Sequence, residues 1–146
     1  MLYPQILLGL AATASAIDAY FHLGGDCDGP ATLCKDLNPG VCCTSSGSNT
    51  VGYRGIPTDW RLSMTAYFGG GCSIVAYTNP AVNTNYVCIR PFSGDPPFTG
   101  TRYFFDSKKR AEDEPCTSTQ KPDELILADG TRYNIAGLED NVLNQL

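Results

Sequence analysis

Residues 61–68, Arg-Leu-Ser-Met-Thr-Ala-Tyr-Phe, alternate in character, with Leu62, Met64, Ala66 and Phe68 on one side. A period of two predicts a strand with one face buried. Gly69-Gly70-Gly71 then permits a tight reversal into 72–78, which carries the β-branched residues Ile74, Val75 and Thr78. After a turn at Asn79-Pro80, residues 85–90 and 101–105 predict two more strands. Residues 124–128 and 131–135 flank Asp129-Gly130, a dipeptide that favours a tight hairpin between two such runs. Leu138, Val142 and Leu146 share one face of a short closing helix. Between Asp26 and Tyr53 the chain is rich in Gly, Ser, Pro, Asn and Cys, with little periodicity, so irregular backbone held by cross-links is expected there. No repeat or linker divides the chain. The pattern predicts a mainly β fold: one small disulfide-stapled antiparallel β-sandwich or barrel, with an irregular N-terminal region and a short C-terminal helix.

The first sixteen residues stand apart. They carry no charged side chain, hold the apolar run Ile6-Leu7-Leu8-Gly9-Leu10-Ala11-Ala12, and end in Ala14-Ser15-Ala16, a small-residue cleavage pattern. This reads as a secretory signal peptide over 1–16, leaving a single secreted domain over 17–146. No later stretch is long and apolar enough for a membrane helix, so release to the extracellular space is expected, not anchoring. All seven cysteines follow the cleavage point: Cys27, Cys34, Cys42, Cys43, Cys72, Cys88 and Cys116. In an exported chain they form a disulfide framework. Neighbouring Cα atoms lie about 3.8 Å apart, closer than a disulfide usually tolerates, so Cys42 and Cys43 are expected to reach different partners. Seven is odd. The spacing leaves open which thiol is spare, and whether it is buried, bridges a second chain as a disulfide-linked dimer, or pairs beyond Leu146.

The net charge of −5 removes two classes of partner. Nucleic acids and anionic membranes are held by clustered Lys and Arg, and the chain has no such cluster of useful size. No cofactor or metal is expected, because no closely spaced cysteine pair of the zinc kind occurs and the single histidine, His22, has no second ligand set nearby. Asp26-Cys27-Asp28-Gly29 resembles a calcium loop for its first residues, but position twelve is Leu37, which offers no oxygen ligand. His22 also lies close to the mature N-terminus, where chains tend to be poorly ordered, and this argues against a Ser-His-Asp or Cys-His set. Loop carboxylates such as Asp26, Asp28, Asp59 and Asp95 are too unpatterned to single out a glycosidase pair.

Two loops and one aromatic remain as candidates. Residues 93–100 carry adjacent prolines and Phe98, a stiff loop that would insert Phe98 into a partner's cleft if exposed. Trp60, just ahead of a strand, is the second candidate binding residue, suited to a protein interface or a sugar platform. Lys109-Arg110, within 106–115, is a candidate processing site for a kexin-type protease.

The export signal ending Ala14-Ser15-Ala16, the small size, Gly40-Val41-Cys42-Cys43 and the dibasic pair together resemble the small secreted cysteine-rich proteins of filamentous fungi, many of them candidate effectors. Hydrophobins differ in carrying eight cysteines with two doublets. Export, heavy cross-linking, aromatic strands and the lack of a catalytic set lead to the expectation of a non-enzymatic secreted protein that acts by binding, an effector with an extracellular host or competitor protein as partner. Two alternatives accompany it: a kexin-processed toxin or antimicrobial protein, and a carbohydrate-binding or wall-associated protein whose partner is a polysaccharide.

Overall fold

The computed structural model describes residues 16–106 and 118–135. Eleven strands occupy them: β1 Ile17–His22, β2 Ala31–Leu37, β3 Cys42–Ser48, β4 Thr50–Arg54, β5 Arg61–Phe68, β6 Ile74–Val82, β7 Tyr86–Ile89, β8 Phe98–Phe105, β9 Thr119–Gln120, β10 Glu124–Ile126 and β11 Arg132–Asn134. The helix expected over 138–146, Cys116 and Lys109-Arg110 lie outside the described residues, as does most of the signal segment.

The strands form two sheets. One runs β11-β10-β2-β1-β4-β7 and the other β6-β5-β8-β3-β9. Pairing is antiparallel throughout except for β3 with β9. The fold is therefore mainly β and sandwich-like. Alternation explains the packing. Ile17, Ala19 and Phe21 of β1 face inward with Val51, Tyr53 and Ile89, opposite Leu62, Met64, Ala66 and Tyr103 of the other sheet. Burial of such side chains contributes roughly 1.5–3 kcal/mol each. Two phenols cross the interior and are satisfied there. The Tyr53 hydroxyl meets Thr101 Oγ1 at 2.9 Å, and Thr101 in turn donates to the Thr65 carbonyl at 2.8 Å. The Tyr103 hydroxyl donates to the Leu37 carbonyl at 2.7 Å.

Four expectations are corrected. The turn expected at Asn79-Pro80 is absent, since both residues lie within edge strand β6, paired with Met64 and Ser63. The stretch 26–53 is not irregular, since β2, β3 and β4 fill most of it. Small polar residues hold strand geometry there because β2 and β4 flank β1 and β3 is laddered to β8, so neighbours supply the hydrogen bonds that composition does not advertise. Strand β5 is buried on both faces, not one: Ser63, Thr65 and Tyr67 are covered as well. Their polar atoms find partners, Ser63 donating to Asp106 at 2.9 Å, Thr65 meeting Thr78 at 3.1 Å and Tyr67 accepting from Arg102 at 2.6 Å. His22 does not sit on a loose end. It closes β1, which lies inside its sheet between β2 and β4.

The β5–β6 turn passes directly over β8. A Cβ on Gly100 would lie 2.4 Å from the Gly71 carbonyl oxygen and 2.9 Å from Cys72 Sγ, so only glycine permits this approach. Gly69, Gly70 and Gly71 all take positive φ, as the reversal requires.

Candidate ligand-binding cleft

Three disulfides brace the sandwich. Cys34–Cys43 joins β2 to β3 across the two sheets, with Cα atoms 6.1 Å apart. Cys42–Cys72 ties β3 to the β5–β6 turn, and Cys27–Cys88 ties the β1–β2 loop to β7. The adjacent cysteines thus reach different partners, because successive side chains on a strand point to opposite faces.

Beyond this pinned point, the sandwich opens. On one side, β3 pairs with β9 only at Cys42 and Cys43. On the other, its register against β8 shifts: Thr44 to Ser48 spans four positions while Gly100 to Phe98 spans two. Such a bulge bends a strand away from its partner. Ser45 Oγ accepts from the Gly47 amide at 3.1 Å and holds the bulge. The result is a cleft of about 570 Å³ between this half of β3 and the β2–β10 side of the other sheet.

Its walls differ in chemistry. One is largely apolar, built by Phe21, Ala31, Leu125, Leu127 and Ile135, with Thr32 of β2 among them. The other is a rail of hydroxyls from Thr44, Ser45, Ser46, Ser48 and Thr119. Lys121 is the one charged side chain among the described lining residues. Ser48 is 4 % exposed, and its Oγ has no hydrogen-bond partner among the described residues. A buried hydroxyl left in that state costs roughly 1–3 kcal/mol, and it lines the cleft.

The residues singled out in the sequence fall elsewhere. Phe98 is fully buried, stacked on Phe68 with ring centroids 5.5 Å apart, so it is not presented to a partner. The loop places it at the first position of β8, where its ring completes the core, and the exposed aromatic of that loop is Phe92 at 75 %. Asp95 clamps the loop, accepting from the Phe92 amide at 2.9 Å and from the Tyr77 hydroxyl. Trp60 is half-buried, with its ring edge-on to Phe105 at 4.9 Å, and it packs against the core. Neither residue lines the cleft, and the structure does not bring the two together there.

His22 is also committed. Its Nε2 accepts from Arg54 at 3.2 Å and its Nδ1 faces the Gly29 carbonyl at 3.4 Å, an arrangement that suits the neutral ring. Burial is the main cause that holds its pKa below the ordinary imidazole value. The Gly29 bond opposes this, the Arg54 charge adds to it, and Asp28 opposes it weakly. Arg54 is itself spread over Tyr20 and Tyr86 and donates to the Cys27 carbonyl at 2.8 Å.

Fold, bridges and cleft together define a small secreted, disulfide-braced β-sandwich protein. The chain belongs to the ARB_05566_N family, described as an N-terminal domain, which it matches over residues 18–123. It is 24% identical over 148 residues to an uncharacterized secreted protein of the fungus Arthroderma benhamiae, covering 95% of this chain and 78% of that protein. No solved structure matches the chain. The protein is extracellular, a small secreted protein of fungal type.

The sequence alone does not single out the cleft residues. The one local signal was the run Thr44-Ser45-Ser46 beside an anchored cysteine pair. Phe21, Leu125 and Ile135 join it only through the fold.

Proposed function

We propose that this secreted protein acts by binding, not by turnover, and that the inter-sheet cleft is its binding site. The observation that carries this reading is the cleft's two-sided chemistry beside a disulfide-fixed strand: an aliphatic wall facing a hydroxyl rail within about 570 Å³. Ligand sites are concave, mostly apolar and supplied with a few polar groups that fix orientation. The Cys34–Cys43 bridge supports the reading further, since a site held open before binding loses less entropy on capture. The chain's only histidine is engaged by Arg54 and Gly29, so it is not poised as a base. The test is a small-molecule panel titrated into the isotope-labelled protein. Amide shifts at Thr44–Ser48 and Leu125–Leu127 are expected, and a panel that moves no resonance there rejects the cleft.

A second reading, an effector that docks on a host or competitor protein, is favoured by a different surface. Edge strand β6 exposes Ile74 and Val75 at 58 % and 61 %, and the neighbouring loop exposes Phe92. Here a Phe92→Ser variant loses capture of the partner while small-molecule shifts in the cleft persist. Retained capture removes Phe92 from the interface.

A further inference from the structure

We infer that the cleft takes a lipid-like amphiphile, with an aliphatic body along the Leu125, Leu127 and Ile135 wall and an oxygen-bearing head at the hydroxyl rail, where it engages Ser48 Oγ. This rests on the cleft being the binding site and names what fills it.

Four observations lead to this class. The aliphatic wall is continuous across β10, its following loop and Ile135, and it includes Leu127 at 37 % exposure near the mouth. A saturated chain gains from such a wall in proportion to the area covered. The opposite wall offers hydroxyls, which donate and accept and so suit a carboxylate or alcohol oxygen. No carboxylate stands among the described lining residues, and this favours an anionic or neutral head over a cationic one.

The fourth observation is Ser48 itself. Ser48 lines the cleft, and its Oγ is buried and lacks a partner among the described residues. Buried hydroxyls are normally satisfied, and a ligand oxygen admitted by a small shift of the Ser48 side chain would supply the partner that the described residues do not. Sugars fit less well. Their sites use aromatic platforms, and the described lining residues hold a single aromatic, Phe21, on the apolar wall. Amide and carboxylate side chains that would read sugar hydroxyls are missing from the same described set.

The probes are octanoic, decanoic and dodecanoic acid, held below micelle-forming concentrations and titrated into the full secreted chain by calorimetry, with amide shifts recorded in parallel. Affinity is expected to rise about four-fold for each added methylene while the wall is being filled. Ser48→Ala is expected to weaken every acid by roughly five-fold without changing the chain-length slope. It should also unfold no earlier than the wild type, because it removes an orphaned hydroxyl. Leu127→Ser, at a half-open position, is expected to flatten the slope, and it keeps the test intact should Ser48→Ala fold poorly. A flat chain-length dependence, or a Ser48→Ala variant that binds as wild type, overturns the inference. If cellohexaose or chitohexaose moves the cleft amides and the acids do not, the cleft stands as a site and the lipid-like ligand is wrong. If neither class moves them, both readings fall.

Discussion

Cys42 and Cys43 are neighbours on β3, yet their bridges leave in opposite directions: Cys43 crosses the sandwich to Cys34, and Cys42 joins Cys72 on the turn above Gly100. One dipeptide therefore fixes β3 to the opposite sheet and to the hairpin of its own sheet. The hydroxyl rail of the cleft starts at the next residue, Thr44.

The bridges differ in what they constrain. Cys27–Cys88 spans 61 residues and Cys34–Cys43 spans 9. Loop-closure entropy assigns about 4 kcal/mol to the first and about 2.5 to the second. Removing each pair by double alanine substitution and comparing denaturant midpoints is expected to reproduce that order. The smaller loss carries the functional consequence: without Cys34–Cys43, cleft amides should broaden while those of β5 and β6 stay sharp.

Phe92 in the β7–β8 loop and Phe98 at the start of β8 have opposite roles. Phe98→Ala empties a filled core position and is expected to cost about 3–5 kcal/mol. Phe92→Ala, at an exposed position, should stay within about 0.5 kcal/mol of wild type. Urea unfolding of the two variants separates core from surface, and equal losses would contradict the placement of Phe98.

Acid should weaken the fold before the carboxylates titrate. Burial holds the folded His22 pKa below its unfolded value of about 6.5. The neutral ring is thus the form that the fold prefers. Its contribution is complete above about pH 6.5 and is lost as pH falls through that value toward the folded pKa. Melting temperatures recorded from pH 7.5 to pH 5.5 should decline for wild type and decline less for His22→Gln.

Alkali acts through the buried phenols. Burial pushes Tyr53 and Tyr103 well above the ordinary tyrosine value, so the fold prefers both neutral. Their contribution is complete below about pH 10 and is lost as pH rises past it. Tyr53→Phe loses the hydrogen bond to Thr101, about 1 kcal/mol at neutral pH. It should also show a shallower alkaline decline than wild type.

How much of this was legible follows from which signals are local. The alternation at 61–68 and the Asp129-Gly130 turn between β10 and β11 announce themselves within a few residues, and both appear where the pattern puts them. The strands within 26–53 do not, because Thr44, Ser45, Ser46 and Gly47 have no apolar period and become a strand through β8 and two bridges. Ile17, Ala19 and Phe21 alternate over only five residues, and their central place in the sheet depends on β2 and β4 on either side. The place of Phe98 is hidden for a related reason: proline-rich flanks mark a loop, whereas the ring's destination depends on Phe68 across the sheet. The cleft is the least legible feature. It needs Phe21, Ser48, Leu125 and Ile135 brought together from four separate segments.

The most direct measurement is of intermolecular NOEs between dodecanoic acid and the full secreted chain. The account predicts contacts from the acid's methylenes to the methyl groups of Leu125, Leu127 and Ile135 and to the Phe21 ring, with the carboxyl end nearest Ser48. Contacts confined to Ile74, Val75 and Phe92, or no contacts at all, would contradict it.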